Sequence, residues 1–294
     1  MRHLLSIADL DDDEVDALLR RATQFADGAT TALHPFTAAL LFLSSSLRTR
    51  LGFGVAVARL GGSLIDVSEM RWDPNMSAAE SFDDALRTVT GMVDAAVVRA
   101  PLDLTEPVGR WAACPVVCGG DSSSHPSQAL IDVFAMERLR GPIDQLSVAI
   151  AGDHTMRATR SLLELFRRRP PRELVLIGPP SRRIDVELGG VLSSRTREAS
   201  LDDLSGIDVL SMSGLAPKRD ADYLDDSQRS EFCLSARHLA GLPGDAIVLS
   251  PMPVIDEIGD DARVDERLRM FEQSDLSVFV RMAVVEHLLH GAQQ

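Results

Sequence analysis

Short apolar runs alternate with longer amphipathic segments along nearly the whole chain. The apolar runs have the length and composition of buried β-strands, and they lie at 38–43, 63–66, 95–99, 115–118, 147–151, 173–177, 208–211 and 246–249. Between them, apolar residues recur with a helical period at 10–25, 48–60, 81–93, 128–138, 158–168 and 276–290. Strands separated by helices predict βαβ units, and therefore an α/β fold with doubly wound parallel sheets.

Two domains of similar size follow from this pattern in a chain of 294 residues. The pair Gly141 and Pro142 precedes a fresh strand, so we place a domain boundary there and predict domains at 1–140 and 141–275. The last segment, 276–294, carries an apolar stripe at helical spacing, and we expect it to pack back on the first domain.

Composition and charge narrow the class of protein. Apolar residues make up 45% of the chain and charged residues 25%, as in soluble globular proteins. The formal net charge of −14 argues against a nucleic-acid-binding surface, which needs clustered Lys and Arg, but a local group of arginines can still bind a small anion. The chain shows neither a signal-peptide pattern nor an apolar stretch of membrane-spanning length. We therefore expect a cytoplasmic protein without membrane or nucleic-acid partners.

The segment 46–50 reads Ser-Leu-Arg-Thr-Arg and joins an apolar strand to a predicted helix. It places two arginines in the first helical turn, where cations oppose the positive end of the helix dipole. The arrangement becomes favourable when an anion binds there, because free N–H groups, hydroxyls and guanidinium groups then converge on it. The alternative is that Ser46 simply caps the helix and the arginines face water.

Two further strand ends carry candidate polar residues. Arg99 ends an apolar strand, which is where open α/β sheets bind ligands, although an arginine pointing into solvent is the alternative. The loop 119–128 is rich in Gly and Ser and leads into a helix through Pro126. His125 and Gln128 are three residues apart, so both can face one side of that helix. The alternative is that they serve only in capping and loop hydrogen bonds.

Two segments in the second half of the chain have comparable positions. Arg157 and Arg160 lie near a helix start, where they face either an anion or solvent. Pro251 and Pro253 flank Met252 after a strand, which predicts a stiff loop whose carbonyl groups can accept hydrogen bonds from an amine. An ordinary strand-terminating loop is the alternative.

Taken together and in this order, these segments resemble the aspartate/ornithine carbamoyltransferase family, and the aspartate branch is the closer match. The resemblance covers nearly the whole chain. Its motifs are Ser-Leu-Arg-Thr-Arg at 46–50, Val-Arg at 98–99, His-Pro-Ser-Gln at 125–128, Gly-Asp at 152–153 followed by Arg157 and Arg160-Ser161, and Pro-Met-Pro at 251–253 followed by Asp-Glu-Ile at 256–258.

The resemblance implies a reaction and a set of roles. The carbamoyl group of carbamoyl phosphate would pass to the amino group of an amino-acid-like acceptor, aspartate or a related amine, with release of phosphate, as in pyrimidine biosynthesis. The implied catalytic residues are Arg48, Thr49, Arg99 and His125, and the implied substrate-binding residues are Ser46, Leu47, Gln128, Arg157, Pro251 and Met252. Neither a metal nor an organic cofactor is implied. The family also implies a homotrimer whose active sites are shared between subunits.

The chain departs from the family pattern in both halves of the expected site. Leu47 stands where the phosphate motif usually has Thr, and Ser44 replaces a Glu. Ala78 and Ala79 stand where the aspartate branch has a lysine that reaches a neighbouring subunit. The other departures are Ser250 and Val254 for His and Arg around Pro-Met-Pro, and Gly214 and Ala216 for the Arg and Gln of the acceptor site; nearby cations that are candidates to compensate are Arg71, Lys218 and Arg219.

These observations leave two hypotheses. A working carbamoyltransferase is supported by the presence of Arg48, Arg99, His125 and Gln128. A non-catalytic paralogue, which binds an anion or serves as an assembly subunit, is supported by the missing loop lysine and the altered acceptor site. An unrelated doubly wound protein would not place all five segments in this order.

Overall fold

The structure is a computed structural model that describes residues 2–67, 80–182, 190–215 and 224–291. Its strands are Thr37–Phe42 (β1), Ser63–Val67 (β2), Ala95–Arg99 (β3), Val116–Cys118 (β4), Ser147–Gly152 (β5), Glu173–Ile177 (β6), Thr196–Glu198 (β7), Val209–Gly214 (β8) and Ile247–Leu249 (β9). Its α-helices are Asp12–Ala26 (α1), Leu47–Arg59 (α2), Phe82–Thr90 (α3), Thr105–Trp111 (α4), Pro126–Leu139 (α5), Arg157–Arg168 (α6), Gly190–Ser194 (α7), Asp226–Ser230 (α8), Ala236–Leu239 (α9) and Met270–Gly291 (α10).

The strands form two parallel sheets, which confirms the predicted α/β fold class. The chain separates into one compact unit made of Met1–Leu130 and Leu276–Gln294, and a second made of Ile131–Asp275. The first unit contains a four-stranded sheet in the order β2-β1-β3-β4, and the second a five-stranded sheet in the order β7-β6-β5-β8-β9. Both divisions between the units fall inside long helices, α5 and α10. The predicted boundary after residue 140 lies at the end of α5 and stays a prediction.

The first sheet is buried except at one edge. The strands β1, β3 and β4 are buried almost throughout, as continuous apolar runs such as Ala38–Phe42 require. The edge strand β2 is largely exposed. Helix α10 packs in this unit against α1, where Arg21 donates two hydrogen bonds to Glu286, at 2.5 and 2.7 Å.

The second sheet has its central strand, β5, buried over all six residues. At the carboxyl end of β5 the backbone passes very close to the end of β8. Gly152 has a φ of +121°, and a Cβ placed on it would lie 2.3 Å from the carbonyl oxygen of Gly214. The N–H of Asp153 donates to the same carbonyl at 2.8 Å. Only glycine fits this crossing, because any side chain would collide with the neighbouring backbone.

Most boundaries of the predicted elements agree with the structure within about two residues. The short helices α4, α7, α8 and α9 and the strand β7 were not predicted. Helix α4 contains Pro107 and Gly109, which weaken a helical pattern, and it was not predicted. Strand β7 is a three-residue polar edge strand without the apolar run that marks the others. Helix α10 begins at Met270, six residues before the predicted start. None of the helices in the described residues is both long and apolar enough to cross a membrane.

We predict that Gly152→Ala lowers the free energy of unfolding by about 2–4 kcal/mol, because the new methyl group meets backbone that cannot move aside. Urea denaturation measures this value. The control is Gly206→Ala, at a residue that has a φ of +73° but no atom within 4 Å of the point where the new methyl group would lie. The control should cost only about 1 kcal/mol for the left-handed backbone. Equal losses in the two variants would contradict the close crossing of β5 and β8.

Candidate active site

The amino end of α2 follows β1 directly and lacks a side-chain cap. Ser46 occupies the N-cap position with extended backbone, but its hydroxyl makes no capping hydrogen bond. Instead, the Ser46 Oγ donates to the Thr49 Oγ1 at 3.0 Å. The first turn of α2 contains no acidic residue. The alternative of Ser46 as a plain side-chain cap is therefore wrong, and the positive end of the helix dipole is left uncompensated.

The two arginines of this turn have different surroundings. Arg50 forms an ion pair with Asp66 at 2.9 Å and lies 5.2 Å from the centre of the Phe42 ring. Arg48 is half-buried, and within the described residues it forms no ion pair. Burial lowers the pKa of the Arg48 guanidinium. Arg48 is thus the cation at this helix end whose charge is not balanced by a carboxylate of the described chain.

Arg99 ends β3 beside this helix. It is buried, and its Nη1 donates to the carbonyl oxygen of Gly119, the residue that follows β4, at 2.7 Å. Gly119 also packs closely against α2, since a Cβ placed on it would lie 3.4 Å from the Cγ2 of Thr49. The predicted strand-end position of Arg99 is confirmed, and the alternative of an arginine pointing into solvent is wrong.

The loop after β4 is held in shape by Asp121. Its buried carboxylate accepts hydrogen bonds from the N–H groups of Ser123 and Ser124, at 2.8 and 2.6 Å. This loop brings His125 to the start of α5, where the ring is buried and its Nδ1 lies 3.4 Å from the Ser127 hydroxyl. The Gln128 N–H donates to the His125 carbonyl at 3.0 Å, within the first turn of that helix.

The parallel register brings these segments to one edge of the first sheet. Phe42 pairs with Arg99, and Val98 pairs with Cys118, so β1, β3 and β4 end at the same level. The residues predicted in this half of the site lie at those three strand ends or in the segments that follow them: Ser46, Leu47, Arg48, Thr49, Arg99, His125 and Gln128. This cluster of one uncapped helix end, two arginines, a hydroxyl pair and a histidine can bind an anion and donate hydrogen bonds to a carbonyl oxygen.

The remaining predicted residues lie in the second unit. Arg157 is the first residue of α6, whose N-cap residue, Met156, makes no capping hydrogen bond with its side chain. Pro251 and Met252 follow β9, and Met252 has a φ of 50° and a cis peptide bond to Pro253. Within the described residues, the carbonyl groups of Pro251 and Met252 accept no hydrogen bond. Their proposed role as acceptors for an amine stays a prediction.

A series of hydrogen bonds that was not predicted holds the loop after β9 in place. The Asp132 carboxylate accepts from Gln273 Nε2 at 2.6 Å, and the Gln273 Oε1 accepts from the Ser250 N–H at 3.0 Å. The Ser250 hydroxyl in turn accepts from the Met252 N–H at 3.0 Å. Asp132, Gln273 and Ser250 are buried, and Met252 is partly buried. Asp132 and Gln273 are 141 residues apart in the chain, so no local sequence pattern could predict their contact.

Gly214 also has a neighbour that sequence reasoning missed. A Cβ placed on Gly214 would lie 3.5 Å from the Oε1 of Glu257, whose carboxylate is buried. Burial raises the pKa of Glu257, while its Oε2 accepts hydrogen bonds from the N–H groups of Ile255 and Asp256. The departures Ala78, Ala79 and Ala216 lie outside the described residues, as do the candidates to compensate for them, Arg71, Lys218 and Arg219.

Comparisons with known proteins show which family has this sequence and fold. The family model for the carbamoyl-phosphate-binding domain of aspartate/ornithine carbamoyltransferases matches residues 2–138. The aspartate carbamoyltransferase catalytic subunit of Archaeoglobus fulgidus is 31% identical, over 98% of this chain and 99% of its own length. That of Methanococcus vannielii is 32% identical over 100% of both chains.

Solved structures show the same similarity. The catalytic subunit of M. jannaschii aspartate transcarbamoylase superposes with a TM-score of 0.85 at 26% identity, covering 100% of this chain and 99% of that one. The Trypanosoma cruzi aspartate transcarbamoylase, solved with carbamoyl aspartate and phosphate, gives 0.83 at 25% identity, covering 97% and 94%. The fold is that of an α/β protein with two doubly wound parallel sheets. The chain belongs to the aspartate/ornithine carbamoyltransferase family.

Arg48 and Arg50 lie in the same turn of α2 but have different surroundings, so their substitution can be compared directly. We predict that Arg48→Met weakens the binding of inorganic phosphate by roughly 10–150-fold, because a charged hydrogen-bond donor to an anion contributes about 1.5–3 kcal/mol. Titration calorimetry measures the Kd. The matched control is Arg50→Met, which removes a guanidinium already paired with Asp66 and should change the Kd by less than about threefold. Equal losses of affinity in both variants would contradict the special position of Arg48.

Proposed function

We propose that this protein is a carbamoyltransferase that moves the carbamoyl group of carbamoyl phosphate to the amino group of an amino-acid-like acceptor, aspartate or a related amine, and releases phosphate. The observation that carries the proposal is the uncapped start of α2, with Arg48 unpaired within the described residues. The two relatives, which the match covers over 99% and 100% of their own length, are named aspartate carbamoyltransferase catalytic subunits. A similar protein was solved with carbamoyl aspartate and phosphate.

In this reaction the phosphate group lies at the start of α2. The Ser46 hydroxyl, the Leu47 N–H and the Arg48 guanidinium bind its oxygens. Leu47 contributes only backbone, so its apolar side chain, 74% exposed, does not interfere with the phosphate. The helix end and the guanidinium both favour a doubly charged ligand, because neither is neutralised by an acid in the first turn.

The carbamoyl group lies beside the phosphate. Thr49, Arg99 and His125 donate hydrogen bonds to its carbonyl oxygen, where negative charge grows in the tetrahedral transition state. Gln128 accepts a hydrogen bond from its NH₂ group. Attack by the acceptor amine forms the new C–N bond, and the C–O bond to phosphate breaks. The leaving phosphate accepts the proton that the amine loses, so no protein nucleophile takes part and positioning supplies most of the acceleration.

Arg157, the first residue of α6, binds the acceptor by pairing with the acceptor's carboxylate. Gly214 provides no side chain where the aspartate branch has a guanidinium, and loss of such a partner costs about 3–5 kcal/mol when nothing replaces it. The buried Glu257 carboxylate beside Gly214 also disfavours a second carboxylate at that point. Activity should therefore be tested with a range of amines as acceptors, not with aspartate alone.

We further propose a homotrimer whose subunits share active sites. Leu47 and Leu51 on α2, and Leu64 and Ile65 on β2, are large apolar side chains left exposed in the single chain, between 38% and 74%. We call these four residues the α2–β2 patch. Large apolar side chains exposed on a helix and on the neighbouring edge strand are typical of interfaces. Because the patch adjoins the phosphate-binding turn, a second copy that covers it would lie next to the site.

The activity is tested by phosphate release from carbamoyl phosphate with a panel of amines, including aspartate. We predict release above spontaneous hydrolysis with at least one amine. His125→Ala should lower kcat by about 10²–10³, the usual cost of losing one donor to a developing oxyanion. His34→Ala, which changes an exposed histidine, is the control and should leave kcat unchanged. Phosphate binding without release for any amine would favour the non-catalytic paralogue instead.

The assembly is tested by light scattering coupled to size-exclusion chromatography. We predict a mass of three times the chain mass of 31.9 kDa. The double variant Leu51→Glu, Ile65→Lys places charges in the α2–β2 patch and should give monomers with at least about tenfold lower kcat. Val264→Lys, at an apolar residue of the second unit that is 89% exposed, is the control and should remain trimeric. A fully active monomer would refute the shared site.

A further inference from the structure

The C-terminal helix buries an arginine in the first unit. Arg281 of α10 is 1% exposed and is the largest of the fully buried side chains in the described residues. Its Nη1 donates to the Ser277 hydroxyl, and its guanidinium lies 5.4 Å from the centre of the Phe53 ring. Its Nε is buried without a hydrogen-bond partner, and within the described chain no carboxylate pairs with the guanidinium. A buried cation with so few partners is costly for a fold.

Helix α2 makes room for this guanidinium. A Cβ placed on Gly52 would lie 2.2 Å from the Arg281 Nη1 and 2.7 Å from its Cζ. Glycine inside a helix is less favourable than alanine, so the space comes at the expense of helix stability. Gly52 lies one turn after Arg48 on the same side of α2. The Arg281 guanidinium is therefore inserted beneath the first turns of the helix that carries the anion site.

The charge of Arg281 adds to that of Arg48. Burial, and then the positive charge of Arg48, lower the pKa of Arg281 to about 9, so the guanidinium remains mostly protonated at neutral pH. Two like charges and the positive end of α2 thus meet in a partly buried region without an acid in the first helical turn. A multiply charged anion at the start of α2 relieves this repulsion.

We propose that Arg281 is a positioning residue of the anion site: its buried guanidinium, held against Gly52 and Phe53, places a second positive charge behind Arg48 and increases the affinity of α2 for the phosphate group. The inference rests on the proposed function for the identity of the ligand. Arg281 itself does not touch the phosphate. It acts through the field it adds at the helix end, and it lowers the stability of the ligand-free protein in exchange for anion affinity.

Two measurements on Arg281→Met separate this role from a structural one. Binding of inorganic phosphate, measured by calorimetry, should weaken at least about tenfold, equivalent to about 1.4 kcal/mol. The free energy of unfolding without phosphate should stay equal or rise, because an apolar side chain of similar length replaces a poorly paired buried cation. In turnover, the KM for carbamoyl phosphate should rise while the KM for the acceptor stays unchanged.

The control is Arg21→Met, at an arginine of α1 that is well paired with Glu286 of the same helix α10. It should lower stability and leave the phosphate Kd unchanged, the opposite of Arg281→Met. If Arg281→Met folds and binds phosphate like the wild type, the inference is overturned, while phosphate release by the wild type would still support the proposed function. A wild type that neither binds phosphate nor turns over would instead refute the proposed function itself.

Should Arg281→Met fail to fold, Gly52→Ala provides the decisive variant. Alanine favours the helix, and its methyl group displaces the guanidinium without removing any group proposed to bind phosphate. Weaker phosphate binding by Gly52→Ala, with α2 still helical by circular dichroism, supports the role of Arg281. Wild-type phosphate affinity in this variant overturns it.

Discussion

The uncompensated positive charge at the start of α2 is the constraint on which the rest of the first unit depends. An α-helix leaves its first N–H groups without partners, and most helices satisfy them with a side-chain cap and nearby acids. Helix α1 does so through Asp11 and Glu14. Helix α2 does neither, and adds Arg48 to the same end. A fold keeps such an arrangement when a ligand completes it. The start of α6 also lacks a side-chain cap and an acid in its first turn, and it is where the acceptor is proposed to bind.

The surrounding sheet keeps that helix end in place. Parallel pairing ends β1, β3 and β4 at one level, so that Arg99 can donate to Gly119, and Gly119 can pack against Thr49. The buried Asp121 then fixes the loop that leads to His125. Each of these contacts is ordinary, but together they bring the donors of three separated segments to one edge. The proposed reaction needs no protein nucleophile, because the leaving phosphate can accept the proton.

The sequence predicted the layers and one edge of the site well, and its failures came from contacts between distant residues. Apolar runs reveal buried strands such as β5, whereas the polar edge strand β7 has no such signal. The strand-end position of Arg99 followed from the general architecture of parallel sheets. In contrast, Arg281 is visible in the sequence only as a polar interruption in an apolar helix. Its position beneath Gly52 depends on how α10 packs against α2, which no local pattern encodes.

A structure with a carbamoyl-phosphate analogue bound would test the central claim most directly. We predict that the phosphate-like group lies at the start of α2, within hydrogen-bond distance of the Ser46 hydroxyl, the Leu47 N–H and the Arg48 guanidinium. We also predict that the carbonyl oxygen lies next to Thr49, Arg99 and His125. An analogue bound away from α2, or bound there with Arg48 and Arg99 directed elsewhere, would contradict the assignment of this helix end as the carbamoyl-phosphate site.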